Sequence, residues 1–152
     1  MDKKVSDSAT TMVRLMMPPD ANPYGNVFGG TIMKLMDEIS AVVALRHARC
    51  NVVTASIDRM NFFAPVYVGD LLTLKASVNY VGTTSMEIGV RIEAEDAETG
   101  RSKHTGSCYL TYVALDKDGK PAPLPKVVPE TPEEKRRWDE ALARKRSREA
   151  PA

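Results

Sequence analysis

The sequence has few of the residues that mark several large classes of protein. Among 152 residues it contains only two cysteines, one tryptophan and three phenylalanines. Cys50 and Cys108 are too few for a disulfide framework, so we expect reduced thiols packed as small apolar groups. Neither cysteine has neighbouring ligands at metal-binding spacing, and we expect no zinc site.

The chain also lacks a dominant charge and a long apolar run. Its 21 basic and 20 acidic residues give a formal net charge of +1, which provides no reason to expect nucleic acid or an anionic membrane as a partner. No stretch approaches the roughly 18 apolar residues of a transmembrane helix, and the first residues contain no apolar signal-peptide run. We therefore expect a cytoplasmic protein.

Hydrophobic periodicity predicts one domain built from a long helix and several strands. The predicted elements are a strand over 10–16, a helix over 31–47, and strands over 52–63, 71–81, 85–95 and 102–115. Turn-like residues around Gly69, Gly82 and Gly100 suggest that consecutive strands pair antiparallel. A chain of this length buries about two-thirds of its unfolded surface. The economical packing is a curved sheet wrapped around the helix, an α+β arrangement.

The C-terminal part differs in composition from the rest. Prolines between residues 119 and 130 predict an extended linker. Thr131 as N-cap, Pro132 at the first helical position and Glu134 at the third predict a last helix to about Arg146. The run RKRSR at 144–148 makes its end basic, which usually indicates a solvated face. A role in holding a nucleotide or another protomer is the alternative.

The segment with the most chemical information reads NPYGNVFGGTIMKLMD at residues 22–37. Its first four residues, beginning at Asn22, fit a type I turn. Gly29 and Gly30 leave bare amide N–H groups at the helix start, where the dipole favours negative charge. Asp37 follows Gly30 by about two helical turns, or ~10 Å of rise. These are the parts of a site that polarises a carbonyl group and attacks it.

This segment resembles the start of the hot-dog-fold acyl-CoA thioesterases. The fixed positions of that pattern are met by Asn22, Gly25, Gly29, Gly30, Met33 and Asp37. The similarity continues through FFAPVYVGD, GTTSME and LTYVAL at residues 62–70, 82–87 and 110–115, and covers roughly residues 9–118. The resemblance implies a hot-dog domain over 9–118, followed by the linker at 119–130 and the basic helix and tail at 131–152. It also implies an acyl-CoA hydrolase that requires no cofactor and has coenzyme A as product.

The resemblance assigns roles to three residues. Asp37 attacks the thioester carbonyl or deprotonates the attacking water, Asn22 orients the reactants, and Gly30 polarises the carbonyl. Helix statistics alone favour a solvated Asp37 paired with Lys34, and turn statistics favour a purely structural Asn22. Glu38 is not assigned a catalytic role, since it lies further round the helix and nearer Lys34.

Coenzyme A needs an extended backbone edge for its pantetheine arm, and cations and hydroxyls for its phosphates. The predicted substrate-binding residues are Gly29, Arg59, Phe63, Ala64, Pro65, Thr83, Thr84, Ser85 and Arg91. An ordinary turn role is the alternative for the hydroxyls at 83–85. His47 and His104 are assigned no catalytic role, and Cys108 is interpreted as a packing residue.

Edge strands and an exposed sheet face predict that the chain is not a monomer. The resemblance implies dimers that join their sheets edge to edge, with Asn22 of one protomer facing Asp37 of the partner subunit, and hexamers built from three dimers. The competing hypothesis is a non-catalytic acyl-CoA-binding sensor. Such a sensor would keep the pocket and the dimer but would not need the Asp37 and Asn22 pair.

Overall fold

The computed structural model describes residues 1–151 and centres on a five-stranded antiparallel sheet with one long helix against its inner face. In chain order the elements are β1 (Lys3–Lys4), β2 (Thr10–Leu15), α1 (Gly29–Ala48), β3 (Asn51–Phe62), β4 (Leu71–Val81), β5 (Ser85–Glu95), β6 (Ser102–Leu115), β7 (Val127–Val128) and α2 (Pro132–Glu149). Residue 152, the last of the predicted C-terminal tail, lies outside the described residues. Within residues 1–151, no helix is both long and apolar enough to cross a membrane.

The core forms between α1 and the inner face of the sheet. One stripe of α1 is buried, and its largest apolar members are Ile32, Leu35, Met36, Ile39 and Val43. Alternate residues of β5 and β6 face this stripe, as the period of two in a strand requires. The α+β prediction is confirmed, and the bounds of β4, β5 and β6 agree with the predicted ones. The helix begins two residues earlier than predicted, at Gly29.

The predicted pairing of β3 with β4 is wrong. The strand order is β2-β4-β5-β6-β3, so β3 forms one edge of the sheet while β4 lies between β2 and β5. Residues 63–70 cross from β3 to β4 by way of the loop before α1, where the Val27 N–H donates to Val66 O at 2.8 Å and the Val68 N–H donates to Gly25 O at 3.1 Å. The hairpins β4–β5 and β5–β6 are antiparallel, as predicted.

Residues 119–130, predicted as an extended linker, are attached to the rest of the fold. Leu124 and Val127 are 7% and 4% exposed and belong to the core. The Leu124 N–H donates to Thr83 O at 2.9 Å, and β7 pairs in parallel with β1 near the N-terminus. The apolar residues between the prolines explain this packing, because each gains by leaving water.

Helix α2 covers the outer face of the sheet. Its predicted cap is present, since the Glu134 N–H donates to Thr131 Oγ1 at 3.0 Å. Arg144 turns inward and donates from Nε and Nη2 to the two carboxylate oxygens of Glu87, each at 2.8 Å. Its guanidinium carbon also lies 3.5 Å from the centre of the Tyr109 ring. The interpretation of the basic run as a solvated face is therefore wrong at Arg144, because a buried acid on β5 pairs with it.

The Glu87 carboxylate is fully enclosed in a small polar cluster. Asn79 donates from Nδ2 to Glu87 Oε2 at 3.0 Å, and Asn79 itself is only 4% exposed. Gly89 makes room for this amide, since a Cβ at position 89 would lie 2.7 Å from Asn79 Nδ2. At the far end of α2, Arg148 donates to Asp58 on β3 at 2.8 Å. The helix is thus attached to the sheet at two places.

Candidate active site

Asp37 occupies the half-buried flank of α1 that faces β3 and β6. Its Oδ1 accepts hydrogen bonds from Thr54 Oγ1 at 2.9 Å and from the Tyr112 hydroxyl at 2.5 Å. Thr54 and Tyr112 are directly paired in the β3–β6 register, so both hydroxyls reach the same point. Lys34 lies instead near Glu38, with a nitrogen–oxygen distance of 3.9 Å. The alternative of a solvated Asp37 paired with Lys34 is therefore not what the structure contains.

The Cys108 thiol and the Tyr112 hydroxyl lie in buried surroundings near Asp37. Cys108 is fully buried, and its Sγ lies 3.2 Å from Met36 Sδ. Burial, with a smaller contribution from the charge of Asp37, raises the pKa of the Cys108 thiol to about 12. Burial and the hydrogen bond to Asp37 also raise the pKa of Tyr112. Neither group ionises near neutral pH.

The start of α1 presents two open backbone donors. The Thr31 and Ile32 N–H groups donate to Phe28 O at 3.1 and 3.3 Å, but the N–H groups of Gly29 and Gly30 find no protein acceptor within residues 1–151. No atom lies within 4 Å of a Cβ placed on Gly30. Both glycines are exposed, and their unpartnered N–H groups lie at the positive end of the helix dipole.

Asn22 is built into the turn before α1. Its Oδ1 accepts from the Tyr24 N–H at 2.9 Å and from the Asn26 N–H at 3.1 Å. The Gly25 N–H donates to Asn22 O at 3.0 Å, and Gly25 has a φ of +84°, which favours glycine. The structural turn role is thus present. The Asn22 Nδ2 donates to no group in the described part of the chain and is available to a ligand.

The predicted catalytic residues form two groups in one protomer. Asn22 and the Gly29–Gly30 amides lie at the start of α1, whereas Asp37 lies about two turns further along, ~10 Å away by helical rise. A ligand that contacted both groups within one chain would have to span this rise. We call these two groups the Gly29–Gly30 half-site and the Asp37 half-site.

The predicted binding edge at Phe63, Ala64 and Pro65 lies at the start of α1. A Cβ on Gly29 would lie 3.6 Å from the Phe62 ring, which places the end of β3 beside the open amides. The Phe63 N–H donates to Thr105 O at 2.8 Å, and its half-exposed ring packs edge-on against His104 with centroids 5.0 Å apart. The structure therefore brings this edge and the Gly29–Gly30 half-site together.

Thr83 and Thr84 form the turn between β4 and β5, as the structural alternative predicted, and Ser85 is the first residue of β5. The carbonyl groups of Thr83 and Thr84 accept from the backbone N–H groups of Leu124 and Ala114, each at 2.9 Å. Ser85 is paired with the residue that follows Tyr112 on β6. The turn is therefore at the end of the sheet that carries the Asp37 half-site.

The two predicted arginines lie on the outer face, opposite Asp37. Arg91 donates to Glu93 at 2.9 Å and lines a cavity of about 470 Å³ beneath α2. That hydrogen bond is the largest cause of the lowered pKa of Glu93. Arg59 lies in an irregular part of β3 with a φ of 49° and lines a second cavity of about 270 Å³ beside Arg144. Within one protomer, neither arginine shares a cleft with Asp37.

His47 lies ten residues beyond Asp37 and makes a structural contact. It is fully buried, and its Nε2 lies 2.7 Å from Pro125 O, so Nε2 carries the proton and donates. Burial lowers its pKa, which the hydrogen bond to Pro125 opposes. The nearby Lys3 ammonium lowers the pKa further, and Asp7 raises it by a smaller amount. Stability should consequently depend on the neutral form of this residue.

We expect the free energy of unfolding to fall as the pH drops below about 6.5. The unfolded chain binds a proton on His47 at its ordinary pKa, whereas the folded chain resists it, so protons favour unfolding. Urea unfolding at pH 7.5, 6.5 and 5.5 measures the effect. His47→Gln should lose this part of the pH dependence and His104→Gln should keep it; equal slopes for the wild type and His47→Gln would contradict the assignment.

Thr54 and Tyr112 contact Asp37, and neither was among the predicted site residues. Tyr112 lies at one of the alternating buried positions of β6. A signal was present, because a tyrosine hydroxyl at a buried strand position needs a hydrogen-bond partner. The identity of that partner depends on the β3–β6 register and on the rotation of α1, which the local pattern does not contain.

The chain is similar in sequence and in fold to known thioesterases. Residues 24–100 match the family described as "Thioesterase superfamily". The cytosolic acyl coenzyme A thioester hydrolase of Rattus norvegicus is 39% identical over 142 residues, covering 92% of this chain and 37% of the relative. The chain thus spans little more than a third of that curated relative.

Two solved structures are similar over nearly the whole chain. An apo hexameric acyl-CoA thioesterase superposes with a TM-score of 0.94 at 44% identity, covering 97% of this chain and 95% of the other. The acyl-CoA hydrolase of Staphylococcus aureus, in complex with butyryl coenzyme A, coenzyme A and coenzyme A disulfide, has a TM-score of 0.92 at 41% identity, covering 98% of this chain and 91% of the other. The chain belongs to the thioesterase superfamily. The resemblance to the hot-dog thioesterases, and the α+β hot-dog fold that it implied, are confirmed.

Proposed function

We propose that this protein is an acyl-CoA thioesterase that hydrolyses the thioester to a free fatty acid and coenzyme A. The observation that carries the proposal is the Asp37 carboxylate, which Thr54 and Tyr112 hold on the flank of a helix whose first amides are open. The named activities of the rat and Staphylococcus aureus relatives support a coenzyme A thioester as substrate.

The chemistry follows from placing a thioester carbonyl against the Gly30 amide. That N–H, with the Gly29 N–H beside it, stabilises the negative charge that develops on the carbonyl oxygen, an effect of roughly 3 kcal/mol for one such donor. Asp37 either removes a proton from the attacking water or attacks the carbonyl carbon itself. As a base, Asp37 takes a proton from the water whose oxygen bonds to the carbonyl carbon; the carbon–sulfur bond then breaks, and the proton passes to the departing coenzyme A thiolate. As a nucleophile, Asp37 displaces the thiolate and forms an acyl-aspartyl anhydride, which water hydrolyses to the fatty acid and the free carboxylate.

A complete site requires a second copy of the chain. The ~10 Å between Gly30 and Asp37 along α1 separates the carbonyl holder from the carboxylate. We therefore place Asp37 of the partner subunit opposite Asn22 and Gly30. The free Asn22 Nδ2 then reaches the water or the thioester oxygen.

The surface around Asp37 supports such a dimer. Strand β3 is an edge of the sheet, and Val53 and Ile57 on it remain 42% and 38% exposed. Met33, one turn before Asp37 on α1, is 40% exposed. Pairing two β3 edges would bury these apolar side chains and give the open backbone groups partners. The hexamer formed by a related acyl-CoA thioesterase supports a further assembly of three dimers.

The binding residues retain their proposed roles in that assembly. Phe63, Ala64 and Pro65 provide the extended edge for the pantetheine arm. The turn from Thr83 to Ser85 offers hydroxyls for the phosphates. Arg59 and Arg91 lie on the outer face of the sheet. They would therefore contact the coenzyme A bound at the active site of another protomer, not the one bound beside Asp37 of their own chain.

A thiol-release assay across acyl-CoA chain lengths tests the function. We expect the wild type to release one thiol for each acyl-CoA consumed, at a rate that saturates with substrate. A non-hydrolysable thioether analogue of the best substrate should bind, measured by calorimetry, and release no thiol. Binding of acyl-CoA without any turnover at any chain length would contradict the proposal and favour the non-catalytic sensor.

A further inference from the structure

We infer that Tyr112 is a positioning residue that fixes Asp37 by its Oδ1 atom and leaves Oδ2 as the oxygen that acts on the substrate or on water. The inference rests on the proposed function, because it specifies how the catalytic carboxylate is held. Thr54 contributes the second bond to the same oxygen.

The hydrogen-bond geometry distinguishes the two carboxylate oxygens. The Tyr112 hydroxyl lies 2.5 Å from Asp37 Oδ1 and 2.9 Å from the Asp37 backbone oxygen. A hydroxyl has one proton to donate, and the nearer, charged acceptor forms the stronger bond. Oδ1 therefore receives two donors, whereas no group in the described part of the chain donates to Oδ2. The carboxylate is fixed at one atom and open at the other.

Tyr112 is well suited to hold a fixed geometry. It is 1% exposed, and its strand is paired on both sides, with β5 and with β3. The raised pKa keeps its hydroxyl protonated across the neutral range, so the donor is always present. Thr54 alone, on an exposed part of the edge strand, would leave the carboxylate freer to rotate.

A purely structural role would have a different signature. The bond from Tyr112 to the Asp37 backbone oxygen would then serve only to hold α1 on the sheet, and its loss would affect stability. A positioning role acts on kcat, because misplacing a reacting group by about 1 Å costs as much as 100-fold in rate. Substrate binding should change little, since Tyr112 does not contact the proposed coenzyme A edge.

Tyr112→Phe tests the inference, with Tyr109→Phe as the matched control. Tyr109 lies three residues earlier on β6 and faces the opposite side of the sheet, under Arg144. We expect Tyr112→Phe to lower kcat by about 10- to 100-fold, with KM and the urea midpoint close to wild type. Tyr109→Phe should keep the wild-type kcat. Both variants retain the ring, so the fold is preserved.

The outcomes separate this inference from the proposed function. If Asp37→Ala removes turnover but Tyr112→Phe keeps the wild-type kcat, the positioning role is refuted and the proposed function stands. A loss in Tyr112→Phe that appears only together with a large fall in the urea midpoint also refutes it, in favour of a structural role. A wild type without turnover, or an Asp37→Ala variant as active as wild type, overturns both.

Discussion

Replacing Asp37 by Ala should lower kcat by about 10²- to 10⁴-fold, the contribution typical of a positioned acid or base. The change removes the carboxylate but leaves the open Gly29 and Gly30 amides and the binding edge intact. Binding of coenzyme A, measured by calorimetry, should therefore persist. Thiol release with the best acyl-CoA substrate measures the loss in rate.

Glu38→Ala is the matched control for this substitution. Glu38 is the adjacent carboxylate on α1, but it is exposed and lies near Lys34. Its removal should leave kcat within about twofold of wild type, since exposed ion pairs of this kind contribute little. Wild-type turnover in Asp37→Ala would refute the catalytic assignment directly.

Because the proposed site takes residues from two chains, the activity lost in Asp37→Ala should return when this variant is combined with a second variant. Asp37→Ala and Asn22→Ala chains, each inactive as homodimers, should recover activity when they are refolded together. Random pairing makes half of the dimers mixed, and each mixed dimer holds one complete site of two, so about a quarter of the wild-type rate should return. Mixed dimers that are verified by mass spectrometry yet remain inactive would refute a site built from two chains.

The second large expected effect is a loss of folding stability when the buried Arg144–Glu87 ion pair is broken. Arg144→Ala should lower the free energy of unfolding by about 3–5 kcal/mol, because it leaves the Glu87 carboxylate buried without a counter-charge. The two side chains are only 8% and 4% exposed and share two hydrogen bonds of 2.8 Å. Chemical denaturation, followed through the single tryptophan at Trp138 on the same helix, measures the loss.

Two further variants test whether the buried charge of Glu87 causes the loss of stability in Arg144→Ala. Arg146→Ala removes an exposed arginine two residues away and should change stability by no more than about 0.5 kcal/mol. The double substitution Glu87→Leu with Arg144→Leu should recover most of the stability, because apolar pairs of similar volume replace buried ion pairs well. If Arg144→Ala is as stable as Arg146→Ala, the buried pair does not hold α2 in place.

Periodicity predicted the elements of this fold, and long-range contacts determined their arrangement. Alternation set the bounds of β4, β5 and β6 correctly because their inner residues are buried without interruption. The order of the strands was not local information. Gly69 suggested a hairpin between β3 and β4. Instead, the hydrogen bonds of Val27 and Val68 hold the segment between these strands against the loop before α1, and β4 lies between β2 and β5.

The candidate site was predicted only where one segment contains its parts. Asp37 and the glycine pair lie on one helix, so spacing alone related them. Tyr112 reaches Asp37 from 75 positions away, and Arg144 reaches Glu87 from 57 positions away. Such contacts depend on register and on which face each element presents. A basic run therefore resembled a solvated surface until the acid beneath it was located.

The absence of a side chain at Gly89 supports the polar cluster to which the last helix is attached. Position 89 on β5 lacks a side chain, and even a methyl group there would collide with the amide of Asn79 at 2.7 Å. If the Asn79 amide moved away, it would lose its hydrogen bond to Glu87. The Glu87 carboxylate would then keep only the two donors of Arg144. A larger residue at position 89 should therefore weaken the polar cluster that holds α2 on the sheet.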